Sequence, residues 1–188
     1  MHNGIAPRKG YVLIAEPFLY EAYFQRSVIF LTEHDKAKGT MGFVLNKPLK
    51  ITLARLLPDI PENMNFPLFL GGPVGGDNLF FLHTLGNILP DSFHISGSIY
   101  MNGNFEFLCN YINQGHSVKN KVKFFLGYSG WESEQLSDEI KTNTWLVNKP
   151  DEDDIFLLPD DFLWKKSLSS LNDDYKAWAN YPKNPQMN

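Results

Sequence analysis

The chain has 188 residues, a formal net charge of −4 and a pI near 5.7. That length suffices for one domain whose core needs neither disulfide nor metal, and the acidic balance gives no general attraction to phosphate backbones. A hydrophobic fraction of 43%, a charged fraction of 20% and a single cysteine, Cys109, describe an ordinary globular chain and exclude an intramolecular disulfide or a multi-thiolate zinc site.

Residues 1–9 are polar, and the apolar run that follows ends at Ala15, so no signal peptide is expected. No stretch approaches the roughly 18 to 20 apolar residues of a membrane span. A cytoplasmic protein is the expectation. Residues 11–15 read as a short strand stopped by Pro17, and residues 18–24 as a helical turn. Residues 27–32 (S-V-I-F-L-T) are rich in branched and aromatic side chains and predict a strand. Residues 34–39 then read as a hairpin loop and residues 41–45 as the returning antiparallel strand, ended by Asn46, Lys47 and Pro48.

Thr52 caps a predicted short helix that stops before Pro58. Residues 67–70 predict a brief strand running into G-G-P-V-G-G at 71–76, which reads as loop. Residues 79–82 predict a strand with His83 at its end, and residues 93–101 one further strand. Asn104 caps a helix whose Phe105, Leu108, Tyr111 and Ile112 share one face, and Gly115 ends it. Cys109 sits within that pattern and reads as a packing thiol.

Residues 122–128 predict a central buried strand. Ser129 with Glu132 has the spacing of a capping box, which starts a helix at Gly130 and carries it to Lys141 with Trp131, Leu136 and Ile140 inward. Residues 144–147 predict a strand, 150–154 an acidic connector, and 161–171 and 174–179 two helices. Residues 181–188 read as a frayed tail. Strands fill the first half and helices the end, which predicts α+β with a largely antiparallel sheet.

Three local patterns suggest chemistry without completing it. The turn around Ser129 lacks the last glycine of a nucleophile elbow, where Trp131 stands, and no histidine follows it because the last is His116. Gly71 and Gly76 have P-loop spacing, but Asp77 and Asn78 stand where lysine and serine or threonine belong. A tight backbone crossing is the plainer reading of these glycines. Glu33, His34 and Asp35 follow one strand and His83 ends another. Two histidines with a carboxylate would hold a divalent metal, although adjacent strand residues point to opposite faces. Otherwise the histidines are expected to bond loop backbone. Arg26 is read either as a clamp for an anion or as the partner of Glu33 or Glu139. Trp131 is read as core, and Tyr128 as an exposed ring able to stack on a ligand.

The ordered set of segments resembles the AlgH/YqgE family of bacterial proteins. The carriers are G-Y-V-L-I-A at 10–15 with Pro17, F-x-R-S-V-I at 24–29, E-H-D at 33–35 and G-F-V-L-N-K-P at 42–48. They continue with G-G-P-V at 71–74, L-F-F-L-H at 79–83 and F-L-G-Y-S-G-W at 125–131, then Gln135, Leu136, Glu139 and Trp145. The resemblance covers most of residues 10–165. Ser129 stands where the family usually has alanine, which argues against a serine nucleophile, and Lys47 where it usually has arginine. The family implies one α+β domain over 1–188, with a bulged, mostly antiparallel mixed sheet and flanking helices. It also implies a transcriptional regulator, or a ligand- or partner-binding protein, without evident catalysis and without a cofactor.

The polar motif residues Arg26, Glu33, His34, Asn46, His83, Tyr128, Trp131 and Gln135 fall mostly at predicted strand ends and turns. They are expected to converge on one cleft that binds a small polar ligand or a protein partner. No basic stripe or helix-turn-helix pattern supports direct contact with nucleic acid. The alternatives are a metal-assisted hydrolase using His34, His83 and a carboxylate, and a module that assembles with copies of itself.

Overall fold

In β1 (Val12–Ala15), β2 (Val28–Asp35) and β3 (Gly39–Val44), apolar residues occupy both alternating positions because both faces of the sheet are covered. The computed structural model describes residues 4–57, 60, 62–158 and 160–182, the side chains of residues 161, 173 and 174 excepted. The remaining elements are β4 (Pro48–Thr52), α1 (Leu53–Leu56), β5 (Pro67–Leu70), β6 (Val74–His83), β7 (Phe93–Ser96), β8 (Ile99–Met101) and α2 (Phe105–Asn113). Then come β9 (Val122–Trp131), α3 (Gln135–Lys141), β10 (Trp145–Asn148), α4 (Glu152–Leu157), α5 (Asp160–Ser169) and α6 (Asp173–Lys176).

Val12, Ile14, Val28, Phe30 and Phe43 face one way and pack with Trp164, Leu168 and Tyr175 of the C-terminal helices. Leu13, Ala15, Ile29, Leu31 and Val44 face the other way and pack with Trp131, Leu136, Ile140 and Trp145. A third cluster joins Leu68, Phe81 and Phe124 to Leu108 and Ile112 of α2. Each such side chain contributes about 1.5–3 kcal/mol by leaving water.

Among the described residues, ten strands form one sheet with the path β10-β1-β2-β3-β9-β6-β8-β7. Every neighbour on that path is antiparallel. The parallel pairing is β5 with β9, and β5 also pairs antiparallel with β4. The fold is therefore α+β, with a bulged and largely antiparallel mixed sheet, as the sequence predicts.

β9 changes partners along its length. Phe124 to Leu126 lie between β5 and β6, whereas Ser129 to Trp131 pair with β3. Gly127, at φ +67°, marks the change. There the chain leaving β5 crosses it closely. A Cβ on Gly71 would lie 2.1 Å from the Gly127 carbonyl oxygen, and one on Gly72 would lie 2.3 Å from the Tyr128 backbone. The glycine run thus makes the tight crossing that its sequence suggests.

Several element predictions are corrected. β9 continues through Ser129, Gly130 and Trp131, so no helix starts at Gly130; α3 begins at Gln135 after Glu134 in a left-handed conformation. Pairing with Gly42, Met41 and Thr40 outweighs the local capping signal. The Ser129 hydroxyl donates instead to the Gly71 carbonyl, 3.1 Å away. Val74, Gly75 and Gly76 belong to β6 rather than to a loop, and a bulge follows them between Val74 and Leu79. β2 runs on through Asp35, so Glu33, His34 and Asp35 are strand residues. Residues 93–101 are a hairpin of β7 and β8, not one strand. Glu152–Leu157 is helix α4 where a connector is predicted. β4 has no counterpart in the prediction, because Pro48 looks like a stop yet occupies the first position of a strand. The predicted stop at Pro58 and the tail from residue 183 onward lie outside the described residues.

Candidate functional site

The bulge between Leu31 and Glu33 separates the buried part of β2 from its polar end. Bulges re-aim side chains and are frequent beside functional sites. Beyond it, Glu33, His34 and Asp35 border an open groove of about 830 Å3 that runs along the β2–β3 hairpin tip to Tyr128, Trp131 and Gln135. All three of Glu33, His34 and Asp35 reach it, where strand alternation predicts at most two on one side. The Lys36 carbonyl accepts the Ser133 hydroxyl at 2.8 Å, which ties the tip to the segment before α3 and closes that wall.

The groove's floor is held by a carboxylate. Glu139 Oε2 accepts the indole N–H of Trp131 at 2.8 Å and that of Trp145 at 2.7 Å, while Oε1 accepts the Gln135 amide at 2.9 Å. The two indoles meet edge to face at 6.0 Å, and both are buried. Trp131 is therefore chiefly core, as expected. Gln135 also accepts the Glu132 N–H at 3.0 Å and so closes the turn into α3. The Tyr128 ring lies edge-on to Phe80 at 6.0 Å. Gly130 leaves room for it, since a Cβ there would stand 3.3 Å from the ring.

His34 Nδ1 lies 2.8 Å from the Thr40 hydroxyl. Partial burial, and then the nearby Lys36, hold its pKa below the usual histidine value, with Asp35 pulling partly back. Asp35 is held below the ordinary carboxylate range because it accepts the Ala37 and Lys38 N–H groups. The groove mixes the carboxylates of Glu33, Asp35 and Glu132 with the ammonium groups of Lys9 and Lys38.

The eight predicted site residues thus separate into three places. Glu33, His34, Tyr128, Trp131 and Gln135 share the groove. Arg26 and Asn46 line a different recess, beside α5. His83 stands alone and fully buried. Its Nε2 donates to the Asn102 carbonyl at 2.7 Å and its Nδ1 accepts the Leu85 N–H at 3.1 Å, which fixes a neutral ring between two loop groups. Burial lowers its pKa.

The expected meeting of His34 and His83 does not occur. His83 pairs with Val122 at the start of β9, and His34 joins its end through Thr40 and Trp131. The length of β9 separates them, so they cannot share an ion. Among the described residues no group of three or more His, Cys, Asp or Glu is placed to hold a metal. Arg26 pairs with neither Glu33 nor Glu139. It donates to the Tyr181 carbonyl and lies over the Trp164 ring, 4.7 Å from its centroid. Thr40, Lys9 and Trp164 carry no sequence signal that singles them out, because each joins a site only through strand pairing or distant packing.

A family model described as AlgH-like matches residues 12–176. A UPF0301 protein of Parabacteroides distasonis is 47% identical over 188 residues, covering 100% of this chain and 94% of that one. A UPF0301 protein of Bacteroides thetaiotaomicron is 44% identical, covering 99% and 94%. The solution structure of the AlgH protein from Pseudomonas aeruginosa is similar with a TM-score of 0.73 at 29% identity, covering 95% of this chain and 97% of that one. A crystal structure of protein DIP2367 from Corynebacterium diphtheriae shares the fold, with a TM-score of 0.76 at 20% identity and 94% of each chain covered. The chain belongs to the AlgH-like family.

Proposed function

We propose that this protein is a non-catalytic binding protein, and that the groove between the β2–β3 hairpin tip, Tyr128 and Gln135 receives a small polar ligand or a short polar segment of a partner. One observation carries the reading: five polar or amphipathic side chains from β2, β9 and α3 border one recess of about 830 Å3. That size falls within the range of about 300–1,000 Å3 typical of ligand sites. His34 offers a titratable donor or acceptor, Tyr128 a flat ring, and the mixed charges favour a polar occupant over an apolar one.

Any regulatory role would run through this occupant. Three carboxylates against two lysines repel a phosphate backbone, so direct DNA contact at the groove is disfavoured. The test is a screen of polar fragments by NMR on the isotopically labelled protein. The amides of His34, Thr40 and Gly130 should move together for the hits, and the response should vanish in a folded His34→Ala, Tyr128→Ala double variant. Hits that gather elsewhere, or survive the double variant, would sink the reading. Tight, strongly salt-dependent binding in a DNA mobility assay would count against it as well.

A further inference from the structure

Phe24 to Ser27 turn sharply into β2, and Arg26 sits in the turn with a left-handed backbone at φ +53°. A non-glycine residue holds that conformation only when its surroundings enforce it, and such strain gathers at binding sites. Here two side chains that follow β3 enforce it. Asn46 Nδ2 donates to the Arg26 carbonyl at 2.9 Å while its Oδ1 accepts the Val28 N–H at 2.9 Å, so one amide spans the turn. Lys47 Nζ donates to the Gln25 carbonyl at 2.6 Å.

The guanidinium is aimed as firmly as the backbone. One face lies over Trp164, whose indole N–H is itself fixed to the Ala15 carbonyl at 2.8 Å. One terminal nitrogen is taken by the Tyr181 carbonyl. Arg26 Nε is buried and has no hydrogen-bond partner among the described residues. A buried donor of a charged group is costly to leave unmet. Among the described residues, the recess of about 250 Å3 at this point is bordered by three cations, Arg26, Lys47 and Lys165, and by one carboxylate, Asp160. Asp160 lies 3.5 Å from Lys123, which offsets its charge. In a chain of net charge −4, this is a local excess of positive charge on a rigid frame.

We infer that this recess binds a phosphoryl group, as free phosphate or as the phosphate of a small phosphomonoester. Arginine presents a planar fork that matches two phosphoryl oxygens, and lysines add point charges. The surplus of cations suits a dianion better than a single carboxylate. The volume admits the phosphoryl group and a few further atoms, with the amides of Gln25 and Asn46 as polar wall. This site is separate from the groove and does not depend on its function.

The experiment uses the full chain with inorganic phosphate in one arm, glycerol 3-phosphate in a second and sodium chloride at matched ionic strength as the control. The Arg26 Nε–H resonance is followed by NMR, and affinity by calorimetry. We expect the Nε–H signal to shift with phosphate and not with chloride. Tighter binding of the ester than of inorganic phosphate would assign the site to a phosphorylated small molecule, and the reverse order would assign it to free phosphate. Arg26→Lys and Lys47→Gln should each weaken binding about tenfold, and the exposed Lys165→Gln about threefold. Lys165→Gln does not touch the turn, so it keeps the test open if the other variants misfold. An Nε–H signal unmoved by both anions, or affinities unaffected by Lys165→Gln and Lys47→Gln, would overturn the assignment.

Discussion

Each end of β9 lies near a histidine, and the two histidines reach opposite outcomes. At the start, Val122 pairs with His83 and Lys123 with Leu82. His83 has both ring nitrogens bonded, and the Lys123 ammonium is sealed between the Phe69 ring, 4.0 Å away, and Asp160. At the other end, Ser129 to Trp131 pair with β3, and past the β2 bulge the polar side chains open onto a groove. His83 ends β6, which pairs with β9, and His34 is next to last in β2, one strand beyond β3. One is spent on structure and the other is left half exposed. What separates them is whether a loop arrives to cover the strand end: Asn102 and Leu85 cover His83, and nothing comparable covers His34 among the described residues.

Variants can break or sharpen this contrast. The largest effect belongs beneath the groove. Glu139→Ala leaves two buried indole N–H groups unpaired and should cost about 3 kcal/mol in urea unfolding. Glu139→Gln keeps an acceptor oxygen and should cost less than half as much. A loss below about 0.5 kcal/mol in Glu139→Ala would show that the carboxylate is not the clamp.

Next is the sealed histidine. His83→Ala removes a donor and an acceptor together and should lose about 2 kcal/mol. Its pH signature follows from the lowered pKa. The unfolded chain protonates near pH 6.5 while the folded ring stays neutral, so stability falls as pH drops below about 7 and through the folded pKa. Protonation would also destroy the bond that Nδ1 accepts from Leu85. The acid slope should shrink in the variant, leaving the part contributed by His34. An unchanged slope would contradict the assignment.

Lys123 gives a smaller effect of opposite sign. Burial lowers its pKa to about 8, with Asp160 restoring part of the shift. Between that value and about 10.5 the unfolded chain holds more protons, so stability should rise with pH across this window. Lys123→Met removes the cost of burying the charge and leaves Asp160 on the surface side. It should be stabilising by about 1 kcal/mol at pH 7 and should abolish the alkaline rise. A marked loss of stability would mean that the ion pair outweighs its desolvation.

The smallest change in stability is expected for His34→Ala, within about 0.5 kcal/mol, because one hydrogen bond to Thr40 is exchanged for water. A loss as large as that of His83→Ala would erase the difference between the two ends and remove the reason to treat the groove as free for a ligand.

Much of this was legible before any coordinates. Alternation and β-branched runs mark the strands, Asn104 does cap α2 by accepting the Phe107 N–H at 2.8 Å, and the glycine run at 71–76 marks a close backbone approach. The failures have a common cause. Ser129 with Glu132 is a valid local signal for a helix start, but a strand distant in sequence supplied partners for Ser129, Gly130 and Trp131. Pro48 looks like a stop, yet the first position of a strand needs no N–H from it.

For the site, residue chemistry singled out the polar side chains, and strand ends told roughly where to look. Only tertiary pairing decided which of them meet. β9 brought Tyr128 and Trp131 to His34 and carried His83 to the far end. Packing of α5 against the Arg26 turn placed Trp164 under a guanidinium that the sequence offers either as an anion clamp or as the partner of a carboxylate. Local propensity acts within a few residues of the chain. The convergence of a site depends on register and on which face a bulge turns outward, and those are fixed by the whole sheet at once.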